Sequence, residues 1–236
     1  SLGATGKFGG RNSPTVLNAG FQFAQFWDGR AATLEDQAKG PILNPVEMGM
    51  PNEKIVLERF NSSADYPALF QKVFPQDPQP VSYDNMAKAI AAFERTLITH
   101  DRFDDFLIGD DQALSNRELQ GLRLFIKSNC VQCHDGNLLG GHSYEKMGIR
   151  NPYANVDDLG RFEVTKKEED KYRFKVPTLR NIEVTGPYFH DGKVSTLTEA
   201  VQQMAWLQSG PQLTQDEVQE IVFFFKSLTN KPRKSQ

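Results

Sequence analysis

The chain has 236 residues, 39% of them hydrophobic and 24% charged, with a formal net charge of −3. That is enough chain to bury a core in one or two domains of about 100–150 residues each. The slight excess of acid gives no argument for a nucleic-acid partner, and no apolar run reaches the roughly 20 residues that a membrane-crossing helix requires.

The chain starts at Ser1 without a signal-peptide pattern, which is expected of a mature or trimmed product. Residues 1–20 are rich in Gly, Asn and Ser and read as a loop. The run Gly3-Ala4-Thr5-Gly6-Lys7 lacks the Ser or Thr that a phosphate-binding loop places after its lysine. Phe21, Phe23, Phe26 and Trp27 follow, and aromatics so spaced are usually core. Thr33 with Asp36 three residues on signals a helix start, with the helix running to about Lys39 before Pro41, Pro45 and Pro51 break the chain into turns. Glu47 lies between Val46 and Met48. Such a carboxyl is either exposed on a loop or raised in pKa and suited to acid–base work, and composition alone favours exposure.

Residues 52–60 and 66–74 read as short helices. Between Tyr83 and Thr99, Met86, Ile90, Phe93 and Leu97 form a helical stripe. The polar stretch 101–111 places a domain boundary, dividing the chain into 1–110 and 111–236. The second part opens with a capping box, Ser115 to Glu118, and a helix burying Leu119, Leu122, Phe125 and Ile126. Residues 135–175 read as a long loop. Thr196 with Glu199 and Thr214 with Glu217 start two further helices, the first carrying Val201, Met204 and Leu207 on one face. The second carries Val218, Ile221, Val222, Phe225 and Leu228. The tail from Lys231 is basic and expected to fray. No strand pattern is evident, so the fold class is mainly α.

The chemistry is concentrated in Cys130-Val131-Gln132-Cys133-His134. A C-x-x-C-H run is the attachment signature of haem c. Two thiols add across the porphyrin vinyl groups, and the histidine lies under the iron as its proximal ligand. The chain has only these two cysteines. A redox dithiol would want a βαβ setting, and a zinc site built from Cys130, Cys133, His134 and His142 would lack a finger-like second pair. Haem attachment to cysteine takes place outside the cytoplasm, which implies the periplasm. The second iron ligand is open at this level. Met147 and Met204 follow the motif in the same domain, and position before the last helix favours Met204. His190 is the rival ligand, and the alternative for Met204 is a core residue of its helix and nothing more.

Four runs add a resemblance: Arg11-Asn12-Ser13-Pro14-Thr15-Val16-Leu17-Asn18, Gln25-Phe26-Trp27-Asp28-Gly29-Arg30, Gly40-Pro41 through Pro45-Val46-Glu47-Met48, and Pro177-Thr178-Leu179-Arg180-Asn181 through Pro187-Tyr188-Phe189-His190. In order and spacing, over nearly the whole chain, they resemble the bacterial di-haem cytochrome c peroxidases. The resemblance implies two cytochrome c-like domains, the first incomplete at its N-terminus. The second would hold a high-potential haem on His134 and Met204. Trp27 would lie between two haems, and Gln37 and Glu47 would line a peroxide pocket in which Glu47 moves a proton between the peroxide oxygens. Calcium would bind the Asn12 side chain and the backbone oxygens of Thr185 and Pro187. Implied partners are hydrogen peroxide, a small cytochrome c or cupredoxin as electron donor, and a second copy in a homodimer.

Two departures stand out. The family's earlier C-x-x-C-H motif is absent from this sequence, and Ala4 falls where a distal histidine is usual. A mono-haem electron carrier is therefore the rival from another class. A MauG-like oxidase is a third reading, weakened by methionine at 204, where those relatives carry tyrosine.

Overall fold

A computed structural model describes residues 2–210 and 212–231. The basic tail beyond Lys231 lies outside the described residues. Thr33 starts the first helix as expected: its backbone is extended and its hydroxyl accepts the Asp36 N–H at 3.1 Å, which satisfies one of the orphan donors of a helix start. The helix α1 (Leu34–Leu43) runs beyond Lys39 and through Pro41. Leu34, Ala38 and Ile42 are buried on one face, and α1 lies along α4 (Tyr83–Glu94). That burial outweighs the hydrogen bond which Pro41 cannot donate. Between them, α2 (Glu53–Asn61) and α3 (Tyr66–Val73) close the unit, with Phe60 edge-on to Tyr66 and Phe70 at 4.7 and 5.7 Å.

The stripe expected up to Thr99 is shorter than its pattern suggests. α4 ends at Glu94 and buries Tyr83, Met86, Ala87 and Ala91, while Phe93 is 63% exposed. The small residues Ala87 and Ala91 let α1 approach, and this turns Phe93 to the other side.

The stretch read as a polar connection contains a helix, α5 (Arg102–Leu107). Asp101 and Asp104 form a reciprocal capping box at its start. Phe103 packs against Phe224 at 5.4 Å between ring centres, and its N–H bonds the Ser227 carbonyl. The α5 aromatic thus joins the core of the helices that follow. Those are α6 (Asn116–Lys127), α8 (Leu197–Met204) and α9 (Gln215–Lys226), each started by the capping residue expected from sequence, Ser115, Thr196 and Thr214. Their core holds Phe125, Val218, Ile221, Phe224, Phe225 and Leu228. Ile126, expected inside, is half exposed, and Glu118 is buried instead. Glu118 can be buried because its carboxylate closes the Ser115 cap and accepts Arg102 Nη1 at 2.8 Å.

The long segment 135–175 is mostly irregular but holds a two-stranded antiparallel ladder, β1 (Tyr144–Lys146) with β2 (Arg173–Lys175), Tyr144 opposite Lys175. Three residues per strand are too few to leave an alternation in the sequence. One short helix, α7 (Phe162–Thr165), lies between them.

A buried ion pair joins the two halves. Arg180 Nη1 reaches both Asp101 oxygens at 2.6 and 2.7 Å, Nη2 reaches Asp104 at 2.9 Å, and Nε donates to the Asn137 carbonyl. Burial pushes the Asp101 carboxyl upward and Arg180 pulls it back.

The α6–α9 contact depends on Gly121, where an added Cβ would collide with the Glu220 backbone. Helix propensity alone says that Gly121→Ala stabilises by about 1 kcal/mol. The close approach reverses that sign, and the expected outcome in chemical denaturation is a loss of about 1–3 kcal/mol.

Candidate haem-binding cavity

The helix α6 ends at Ser128, and Asn129 adopts a left-handed conformation (φ 61°) that turns the chain into a single 3₁₀ turn, Cys130–Gln132. The N–H groups of Cys133 and His134 both return to the Cys130 carbonyl, at 3.3 and 2.9 Å. This compact turn puts Cys130, Cys133 and His134 on the wall of one cavity. The cavity encloses about 1580 Å³ not filled by atoms, part of it open to solvent. Its walls are drawn from both halves of the chain, a breadth that suits a group as large as a porphyrin. Its lining is mostly apolar and includes Phe125, Leu179, Leu197, Val201, Ile221 and Phe225.

Both cysteines are free and part-buried. Burial pushes the Cys130 thiol up to about 11 and raises Cys133 as well, with Glu145 and Asp135 adding to the second. His134 is part-buried, and burial pushes its pKa down to about 4 and keeps the imidazole neutral. Nδ1 lies 3.2 Å from the Leu139 carbonyl. A neutral ring in that position donates through Nδ1–H and leaves Nε2 as the free lone pair, the arrangement a metal-binding imidazole requires. Met147, Met204 and His190 all line the same cavity. His142 does not, and its Nε2 is 2.7 Å from Asp135.

Trp27 reaches the cavity from the first half of the chain. Its indole N–H donates to the Asn12 carbonyl at 2.9 Å, and its own carbonyl accepts the Lys175 N–H at 2.7 Å. The aromatic cluster around it is not core: Phe21 and Phe23 are exposed, because they lie at the seam where Phe23 packs edge-on to Tyr144 at 4.9 Å. Asn12, Thr185 and Pro187 also meet at this cavity. The Asn12 amide is 2.7 Å from the Pro187 carbonyl and 3.4 Å from that of Phe189, and rotating the amide would offer Oδ1 instead.

Gln37 and Glu47 are not on this wall. Gln37 is half-buried on α1, and Glu47 is half-buried in the turn after it, accepting Asn44 Nδ2 at 2.8 Å. Composition had favoured an exposed Glu47; the Asn44 turn and the chain start cover it instead. The Ala4 N–H bonds the Glu47 backbone carbonyl at 2.7 Å, which ties the chain start to this turn.

Arg11 has a role that composition and spacing did not signal. Its Nη1 holds Asp28 at 2.5 Å, and Nε and Nη2 hold Asp158 in a fork at 2.6 Å each. Burial alone would raise Asp158, but Arg11 and the Gly160 N–H bring it below the usual carboxylate range. A carboxyl with a depressed folded-state pKa contributes stability above the unfolded value of about 4, and that stability is lost as pH falls through the folded value. Arg11→Met is expected to cost roughly 3 kcal/mol at neutral pH, since it removes the forked partner of Asp158 and one of the two arginines on Asp28, and to flatten the acid limb of the stability–pH curve measured by denaturant titration.

Comparison with known proteins gives two family matches: di-haem cytochrome c peroxidase over residues 1–112 and cytochrome c over residues 119–229. The cytochrome c551 peroxidase of Nitrosomonas europaea is 48% identical over 97% of this chain and 68% of its own length. That of Pseudomonas aeruginosa is also 48% identical, over 98% and 68%. Among solved structures, a MauG-like protein associated with microbial copper homeostasis superimposes with a TM-score of 0.85 at 29% identity, covering 98% of this chain and 79% of the other.

Proposed function

Because this chain belongs to the di-haem cytochrome c peroxidase family, we propose that it is the electron-transferring and peroxide-handling part of a peroxidase that reduces hydrogen peroxide to water. The observation that carries the reading is the shared cavity: an attachment motif, a neutral histidine with a free Nε2, a candidate thioether ligand and an aromatic side chain from the other half of the chain all meet there. When bound, haem supplies the one-electron redox chemistry. Cys130 and Cys133 would hold the group covalently through their thiols, and His134 Nε2 with Met204 Sδ would ligate its iron. The thioether would raise the reduction potential. Trp27, clamped between Asn12 and Lys175, would relay electrons between the halves, which we divide near residue 110.

Glu47 would take a proton from one peroxide oxygen and return it to the other as the O–O bond breaks, with Gln37 beside it. Net reduction consumes two electrons and two protons and yields two waters. Asn12, Thr185 and Pro187 offer a set of uncharged oxygens that fits calcium. A small cytochrome c or cupredoxin in the periplasm would supply the electrons.

The single C-x-x-C-H motif of this sequence favours one other reading, a mono-haem electron carrier. Haem per chain, by pyridine haemochrome together with intact mass, separates them. Two haems per protein are expected of the peroxidase, whereas one haem and no peroxide turnover would leave the carrier. In the two-haem protein, Glu47→Gln is expected to lower peroxide turnover by about 10²–10⁴-fold without changing haem content, and an unchanged rate would remove Glu47 from the mechanism.

A further inference from the structure

Lys175 is the one lysine or arginine among the described residues that line the cavity. It lies on β2, is only 5% exposed, and among the described residues its ammonium has a single hydrogen-bond partner, the Gln22 side-chain oxygen. An ammonium carries three donors, and a neutral amide brings no charge to balance it. No carboxylate pairs with Lys175 among the described residues; Glu145, the acid on the same wall, faces Arg173 at 3.7 Å instead. Burial pushes the Lys175 amine down to about 8, so it is still mostly charged at neutral pH. A buried, unpaired cation is costly unless something else that occupies the space completes it.

A second polar atom of the same cavity is also unsatisfied. His190 is 2% exposed, and among the described residues its Nε2 has no hydrogen-bond partner. Its ring is stacked on Phe174 at 4.0 Å and edge-on to Trp27 at 6.4 Å. The backbones of both residues are fixed to the Asn12–Trp27 stretch: Lys175 N–H to the Trp27 carbonyl, and Asn12 N–H to the His190 carbonyl at 2.7 Å. Both residues are thus anchored through their backbones at the cavity wall, with their side chains buried.

The remaining wall is mostly apolar and suits a porphyrin ring, but a haem also brings two propionate carboxylates. We infer that Lys175 is the carboxylate-recognising residue of this cavity, binding a propionate of the haem attached at Cys130 and Cys133 and contributing a positive charge beside it. The inference rests on the haem reading above. It gives the cation the charged partner that Gln22 does not supply, and charge-assisted hydrogen bonds of this kind are the stronger ones. A positive charge close to the haem favours the reduced state, so Lys175 would also act on the potential.

The test uses the haem-loaded protein. Haem content is measured first, then the midpoint potential by spectroelectrochemical titration and the propionate bending band by resonance Raman. Lys175→Met is expected to keep covalent haem, to shift the potential downward and to move the propionate band. Lys175→Arg is expected to stay near the wild type in both. A haem-loaded Lys175→Met protein with unchanged potential and unchanged band overturns this inference alone, whereas a wild-type chain that carries no haem overturns the haem reading together with it. Should Lys175→Met fail to fold, a crystal structure of the wild-type holoprotein decides the matter. Nζ within about 3 Å of a propionate oxygen supports the inference, and Nζ held by Gln22 alone overturns it.

Discussion

The cavity exists because Arg11 and Asn12 tie together stretches that are far apart in sequence. Arg11 neutralises Asp28 on one side and Asp158 on the other. Asn12 accepts the Trp27 indole with its carbonyl, gives its N–H to His190, and turns its side chain to Pro187. Trp27, Pro187 and His190, three residues of the cavity wall, are all tied to Asn12 in this way. An apolar space of this size has no reason to persist by itself, since packing favours collapse. Hydrogen-bonded and charge-paired walls resist that collapse while leaving the interior apolar.

The second anchor, Arg180 with Asp101 and Asp104, works on the outer side of the same seam. It fixes the start of α5 to the Pro177–Asn181 run, and α5 in turn adds Phe103 to the α6–α9 core. The two halves therefore share a core element as well as a cavity, so neither half is expected to hold its shape independently of the other.

Much of this was legible in the sequence. The capping residues Thr33, Ser115, Thr196 and Thr214 start helices where expected, because capping is a local exchange of hydrogen bonds within four residues. The Cys130–His134 motif was legible because covalent attachment demands that spacing. What was not legible depends on contacts made at long range. Pro41 does not end α1, since burial against α4 decides the matter. Phe93 is outside because Ala87 and Ala91, not the largest residues, form the contact. α5 was missed in a stretch with many charges, although the Asp101–Asp104 pair was a usable signal. The burial of Lys175 left no mark at all: nothing near it in sequence distinguishes it from a solvated lysine. Glu47 was marked by its apolar neighbours Val46 and Met48, but its pocket role, like Gln37 altogether, came from family resemblance, and that neither lines the Cys130–His134 cavity could not have been read from residue pattern.

The His134 ring has one further consequence. Its Nδ1 is directed to the carbonyl of Leu139, in a turn that closes on itself through the Leu139 N–H to Gly136 and the Gly140 N–H to Asp135. An imidazole held this way already has its tautomer and ring plane before any metal is present. Under the proposed haem reading, each electron would change the charge at the centre, and a ligand that has little to move would keep the accompanying reorganisation small. A backbone carbonyl cannot change protonation or swing away as a side chain could, so this turn would suit fast, repeated electron transfer rather than tight control by pH.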